Sequence, residues 1–374
     1  MSEDHLVSLQ NVEVHFESEQ SFLSKLRGET DIVKAVDGIS LDIPENDVVA
    51  LVGESGCGKS TLGKTAIGVQ RPTSGSVTYK GQDVWKAKDK DGNVEIPYDE
   101  IRQSLQIIPQ DPGASLNPNK TVQHSLGAPL KLRHPEMDSF ERRERIHEMI
   151  SRVGMSPPED YAKRFPHQLS GGEKQRVALI RALLMNPDLI LADEAVSALD
   201  VSLRIDMMDL MLELQEEFNT SFLFISHNLS NASYVAGKSD GRIGIMYLGE
   251  LVELGPIDEV LENPKHPYTK ALVWATPNLD PDIDDETESP LRKIDVPDPR
   301  NPPSGCRFHT RCPKAREACK GNTPEAVSVD GDEDHTVTCF RELDDHEYWD
   351  SRKLEDDSSE SDADQTELAD EPVQ

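Results

Sequence analysis

Residues 48–61 read VVALVGESGCGKST. The opening VVALV is apolar and rich in β-branched residues, the pattern of a strand buried on both faces. The part that follows, Gly53-x4-Gly58-Lys59-Ser60, has the spacing of a loop that cradles phosphate. Glycine lets backbone come close, so the N–H groups of Gly53, Glu54, Ser55, Gly56, Cys57 and Gly58 can wrap phosphate oxygens. A helix starting near Lys59, with Thr61 in its first turn, adds its positive N-terminal end. Lys59 reaches the β and γ oxygens, and the Ser60 hydroxyl ligates Mg²⁺. The helix is predicted to stop near Pro72. Cys57 reads as a small loop residue, with a reactive thiol as the alternative.

Two further apolar runs share this design. Residues 189–192 lead into Asp193 and Glu194, and residues 222–225 lead into Ser226 and His227. Strands that end on polar residues line those residues along one rim of a parallel sheet, where ligands of such folds bind. An acidic pair at that rim is costly without a task. Asp193 suits the Mg²⁺ shell, Glu194 suits orientation and deprotonation of an attacking water, and His227 suits a γ-phosphate contact. Gln110, in IIPQDP after another short apolar run, offers an uncharged side chain to Mg²⁺ or water. The fold class expected is α/β, a P-loop nucleotide-binding domain.

A second candidate cradle lies at residues 169–176, LSGGEKQR. Ser170 and Glu173 have the S-x-x-E spacing of a capping box, and Val177, Ile180 and Leu184 continue a helix that ends by Pro187. A capping box does not need Gly171 and Gly172, which weaken a helix. Bare backbone at a helix N-terminus makes sense where a phosphate approaches it. The first loop already has γ-phosphate ligands, so this one is expected to serve a nucleotide held by another subunit.

Between Asp111 and His167 the pattern turns to charged amphipathic helix, with Ile146, Ile150 and Val153 at spacings of four and three. A helical subdomain is therefore expected at about 111–168, inside an ATPase domain spanning 1–262. IGIMYLGELVEL points to a terminal hairpin around Gly249. Residues 263–341, rich in Pro, Cys and charge, form an extension. Residues 342–374 are expected to be an acidic, disordered tail.

Asp and Glu number 70 against 39 Lys and Arg, a formal charge of −31. Residues 342–374 hold 14 acids and 2 bases, so they supply −12 and the rest of the chain −19. Such a surface repels nucleic acid and anionic lipid, and reads as solubility and salt tolerance of a halophilic kind. No apolar run reaches the roughly 18 residues of a membrane span, and MSEDHLVSLQ lacks the basic-then-apolar order of a signal segment. A soluble cytosolic chain is expected, acting at any membrane through partners. Its five cysteines then point to thiols or metal ligands rather than disulfides.

Taken together, GESGCGKST, the Gln110 loop, LSGGEKQR, LILADEA, SALD at residues 197–200, and His227 resemble the nucleotide-binding subunit of ABC transporters. The resemblance implies two subunits set head to tail, with two ATP molecules between the P-loop of one and the Ser-Gly-Gly of the other. It further implies that Phe16, in VEVHFES, stacks on adenine, although a core aromatic looks the same. Gln110 would couple the site to a membrane subunit, and Asp200 would cross the dimer interface.

QIIPQDPGASLNP, EAVSALDVS and KHPYTKAL look like the oligopeptide/dipeptide importer branch. The charged insertion after Phe16 is similar to that branch's F-type ATPase, which pairs with a D-type one. This implies ATP-driven import from the cytoplasmic face of the cell membrane, with two permease subunits, an extracellular substrate-binding protein and no nucleic acid. A homodimer is the alternative pairing, and nickel, glutathione or oligosaccharide the alternative cargo. Ala195 stands where Pro is common, Pro109 where Phe is common, and Glu173 where Gln is frequent. Neither Ala195 nor Pro109 touches the implied chemistry, and the branch tolerates Glu173. DNA-repair and chromosome-maintenance ATPases share this ATP chemistry but insert long coiled coils, and the insert here has no heptads.

Cys306, Cys312, Cys319 and Cys339 lie in GCRFHTRCPKAREACK and HTVTCF, without the close cysteine pair usual at zinc sites. Four thiolates suit a [4Fe–4S] cluster, and extensions of the importer branch can carry one. Buried free thiols are the other reading.

Overall fold

The computed structural model describes residues 5–17, 32–276, 291–292 and 295–354. Its strands in chain order are β1 (Val7–Glu17), β2 (Ile32–Ile43), β3 (Val48–Val52), β4 (Ser74–Tyr79), β5 (Gln82–Asp83), β6 (Leu105–Ile108), β7 (Leu189–Asp193), β8 (Ser221–Ser226), β9 (Arg242–Tyr247), β10 (Glu250–Pro256), β11 (Val327–Val329) and β12 (Asp332–Val337). They form a four-stranded sheet, β2-β1-β4-β5, and an eight-stranded sheet, β11-β12-β10-β9-β3-β8-β7-β6. In the larger sheet β3 runs parallel to β8 and β9, and β7 runs parallel to β6 and β8.

Every residue of β3 and β7 is buried. Side-chain alternation explains how. Ile190 and Ala192 of β7 face a core shared with the helices Gly171–Leu183 and Val201–Phe218, whereas Leu189 and Leu191 face the core beneath the antiparallel sheet. A strand covered on both sides reads as a continuous apolar run. β9 and β10 pair antiparallel, as the expected hairpin.

The helix after the phosphate loop, Lys59–Ala66, ends well short of Pro72. Gly68, at φ 67°, closes its last turn by donating to Thr65 O. The helical insert holds Val122–Arg133, Ser139–Arg152 and Pro158–Lys163. Thr121 caps the first, and a capping box of Asp138 and Glu141 starts the second. Ile146, Ile150 and Val153 are buried in one core with Leu126 and Leu130.

The extension adds to the ATPase sheet. β12 pairs with β10 and β11 pairs with β12. The buried carboxylate of Glu253 on β10 accepts from Lys265 N, His266 N and His335 Nε2, at 2.8, 2.9 and 3.0 Å. Residues 342–354, expected within a disordered tail, are ordered. Tyr348 is buried and donates to Lys314 O at 2.6 Å, while Arg316 donates to Trp349 O and Ser351 O at 2.6 and 2.8 Å. Tyr348, Trp349 and Leu354 give this piece the apolar area that an acid-and-serine tail lacks. Residues 355–374 lie outside the described residues, as does the insertion at 18–31. Among the described residues no helix is long and apolar enough to cross a membrane.

Candidate active site

At the end of β3 the backbone of neighbouring strands presses on the phosphate loop. A Cβ on Gly53 would lie 2.1 Å from Met246 O, and one on Gly58, at φ 106°, 2.0 Å from Ala35 O. Gly56 would meet nothing within 4 Å, so the middle of the loop is open. Lys59 is buried, and its Nζ donates to Gly53 O at 2.8 Å and Glu54 O at 3.0 Å. These carbonyls satisfy a buried charge that phosphate oxygens would satisfy better. Burial pushes the Cys57 thiol up, against the pull of Lys59, which disfavours the thiolate that a reactive cysteine needs.

Ser60 Oγ donates to Asp193 Oδ1 at 2.6 Å, so the hydroxyl and carboxylate expected around Mg²⁺ are already neighbours. The next residue, Glu194, takes φ 49°, which costs a residue with a Cβ about 1 kcal/mol or more. The turn is held by Glu194 N donating to Ile225 O at 3.1 Å, and by Ser197 N and Oγ donating to Glu194 O at 3.0 and 2.9 Å. It delivers the carboxylate to the rim. There Gln110 Nε2 donates to Oε2 at 2.9 Å, and His227 Nδ1 stands 3.2 Å from the same oxygen. Three loops, each following a different strand, thus converge on one atom.

Phe16 on β1 pairs with Val33 of β2, two residues before the Ala35 that abuts Gly58. It is 41% exposed and is not a core aromatic. Ser55 is exposed at the loop, and Thr61 sits in the helix it starts.

The capping box at Ser170 is formed. Glu173 N donates to Ser170 Oγ at 3.2 Å, and Ser170 N donates to Glu173 Oε2 at 2.7 Å. A Cβ on Gly171 would meet nothing within 4 Å, and one on Gly172 only ordinary contacts at 3.7 and 3.8 Å with Leu203 and Leu199. Neither glycine has positive φ. Nothing within the described chain requires glycine at either position, yet both weaken the helix. Asp200 is exposed and caps the helix Val201–Phe218, accepting from Leu203 N at 3.1 Å. Beside it Val201, Leu203 and Ile205 are exposed apolar residues.

Cys306, Cys312, Cys319 and Cys339 line one small cavity with Phe308, Phe340 and Tyr348. Burial pushes the Cys312 thiol up to about 12 and the Cys339 thiol to about 11. The four thiols share this cavity, but among the described residues the ligand atoms that lie within 4.8 Å of one another are those of Glu13, His15 and Asp37, not the cysteine sulfurs. A metal group there would bind by displacing the thiol protons.

Sequence reasoning missed two residues at the phosphate loop. Arg311 Nη1 donates to both carboxylate oxygens of Glu54, at 3.0 and 3.1 Å, and Glu54 N donates to Tyr268 Oη at 3.1 Å. Glu54 thus bonds the extension through both its N–H and its carboxylate. Tyr268 lies within KHPYTKAL and Arg311 just before Cys312, but they come back to the loop across 214 and 257 residues.

Residues 36–197 match the ABC transporter family, and residues 252–319 match the oligopeptide/dipeptide transporter C-terminal region. The oligopeptide transport ATP-binding protein AppF of Bacillus subtilis is 41% identical over 87% of this chain and 94% of its own length. The chain belongs to this family of ABC-transporter ATP-binding subunits. The oligopeptide transport ATP-binding protein OppF of Salmonella typhimurium is 40% identical to the transporter ATPase described here, over 90% of this chain and 96% of that one. Among solved structures, the ATP-binding cassette MJ0796, in a dimeric post-hydrolysis state with ADP and Pi, is 28% identical. Its TM-score is 0.56, covering 67% of this chain and 98% of that one. The transporter ATPase thus has the P-loop ABC fold with a helical subdomain, and it is an ATPase that uses ATP with Mg²⁺.

Proposed function

We propose that this subunit powers the import of oligopeptides or dipeptides, hydrolysing ATP in a head-to-tail pair of ATPase subunits at the cytoplasmic face of the cell membrane. The observation that carries the pairing is Gly171. Its open surroundings leave the demand for glycine outside the chain, at the N-terminal end of a capped helix suited to phosphate. The exposed Val201, Leu203 and Ile205 beside Asp200 supply an apolar margin for the same contact.

In this reading Phe16 stacks on adenine, Lys59 leaves its loop carbonyls for the β and γ oxygens, and the hydroxyl of Ser60 with Asp193 and Gln110 surrounds Mg²⁺. Glu194 takes the proton of the attacking water. His227, with Nδ1 toward Glu194, meets the γ-phosphate through Nε2. Ser170, Gly171, Gly172 and Glu173 of the opposite subunit close the pocket, and Asp200 crosses the interface. The opposite subunit is a D-type ATPase, with a second copy of this chain as the alternative.

A groove of about 800 Å³ beside the Gln110 loop, lined by Arg102, Gln106, Pro109, Leu132 and Arg181, lies between the core and the helical subdomain. It suits a permease segment, so that motion of the membrane subunits reaches Gln110 and, through it, Glu194. Two permease chains and an extracellular binding protein complete the importer. The four cysteines of the extension hold a [4Fe–4S] cluster that braces a loop-rich region. The acidic surface serves solubility at high salt, which full structure in low salt by circular dichroism would contradict.

Transport tests the function. Vesicles carrying the assembled complex and its binding protein are expected to accumulate peptide only with internal or cytoplasmic-side ATP. Accumulation of nickel, glutathione or oligosaccharide in place of peptide would move the cargo within the branch. Anaerobic purification is expected to yield a brown protein with iron and sulfide, and a colourless one would leave the cysteines without a cluster.

A further inference from the structure

Glu54 is gripped from outside the phosphate loop. Its N–H donates to Tyr268 Oη at 3.1 Å, and its carboxylate accepts from Arg311 Nη1 at 3.0 and 3.1 Å. Both partners are fixed. Tyr268 is 1% exposed, with its ring centroid 4.7 Å from that of Tyr247 and 5.4 Å from that of Phe308. The guanidinium of Arg311 is buried near the same two rings, 5.7 and 5.8 Å from their centroids. Tyr247 belongs to β9 and Phe308 to the extension, so this aromatic wedge spans the seam between ATPase sheet and extension.

We propose that Arg311 and Tyr268 are positioning residues for the ATP reaction, through which the C-terminal extension holds the phosphate loop in its binding shape. Two physical reasons carry this, and both rest on ATP binding at this loop. Lys59 Nζ bonds the carbonyls of Gly53 and Glu54 and so struts the first half of the loop. When Lys59 turns to the phosphates, that strut is lost just as the loop N–H groups must converge. The grip on Glu54 uses neither Lys59 nor an oxygen of the nucleotide, so it persists through the change. Second, Glu54 places a carboxylate in a loop that must accept a polyanion. Arg311 neutralises it from a low-dielectric site, where an unpaired charge would be felt strongly. Arg311 also precedes Cys312, so one turn of chain faces the phosphate loop and the thiol cavity.

The test is equilibrium binding of a non-hydrolysable ATP analogue to the full chain, with KM and kcat of the assembled complex. Arg311→Gln is expected to weaken binding about tenfold and to raise KM more than it lowers kcat. Arg311→Lys is expected to recover part of the loss. Tyr268→Phe, which removes one oxygen, is expected to weaken binding a few-fold. The charge argument adds a sharper expectation: Glu54→Gln with Arg311→Gln should bind more tightly than Arg311→Gln alone. A bracing role without positioning would lower Tm but would not give that rescue. Wild-type affinity in Arg311→Gln, or no rescue by Glu54→Gln, overturns the proposal. Should Arg311→Gln not fold, unchanged affinity in Tyr268→Phe overturns it. Failure of the wild-type chain to bind the analogue would instead count against the ATP site itself.

Discussion

Gln110 Nε2 donates to Glu194 Oε2 at 2.9 Å. Gln110 sits where β6 hands the chain to the helical subdomain, and Glu194 follows β7 in a left-handed turn. A movement of the subdomain that draws Gln110 away therefore changes what the Glu194 carboxylate is bonded to. In the proposed reading, this hydrogen bond links the permease-facing groove to the carboxylate assigned as general base.

Glu194→Gln keeps the size of the side chain but removes its basicity. Hydrolysis is expected to fall at least about 100-fold while ATP affinity stays within a few-fold of wild type. Phosphate release and equilibrium binding on the same preparation measure both. Hydrolysis within a few-fold of wild type would show that another group takes the proton.

Ser60 Oγ donates to Asp193 Oδ1 at 2.6 Å, and the proposed reading places both around Mg²⁺. Asp193→Asn retains that contact but removes a negative ligand. The Mg²⁺ concentration for half-maximal activity is expected to rise at least about tenfold, with ATP in constant excess. An unchanged Mg²⁺ dependence would remove Asp193 from the metal shell.

Glu250 on β10 is half-buried beside Arg307 Nε, 3.0 Å from its Oε1. Burial pushes its pKa from an ordinary 4.5 up to about 7, outweighing the pull of Arg307. Between these values the folded chain keeps a proton that the unfolded chain releases. The associated stability is full below pH 4.5 and is lost as pH rises through about 7. Glu250→Gln cannot lose that proton. Its stability relative to wild type is expected to climb between pH 5 and pH 8 by up to about 3 kcal/mol, by urea denaturation at constant ionic strength. Parallel stability curves would contradict it. The offset at any single pH also contains the altered contact with Arg307, so only the trend is diagnostic.

Much of this was legible in the sequence, for identifiable reasons. β3, β7 and β8 are buried on both faces and so leave uninterrupted apolar runs, and the residues that end them inherit one rim. Ser60, Asp193, Glu194 and His227 could be placed from that logic alone. Gly171 and Gly172 stood out because helix starts do not favour paired glycines without a reason. The strands β11 and β12 were not legible: DEDHTV is charged and joins the sheet through Thr336 and Val337 beside β10. Acidic composition likewise hid the anchoring of residues 342–354 by Tyr348. Arg311 and Tyr268 leave no local pattern, because their partner Glu54 is reached only through the folded seam.

The most direct test of a pocket divided between two chains is phosphate release by the assembled transporter carrying Gly171→Trp, read beside the Tm of the isolated subunit. The space around Gly171 within the chain leaves room for the larger residue, so Tm is expected to stay within a few degrees of wild type. Turnover is expected to fall at least about tenfold, because the indole would occupy the place of the other subunit's phosphates. Full-speed turnover with Gly171→Trp would contradict the division of the site.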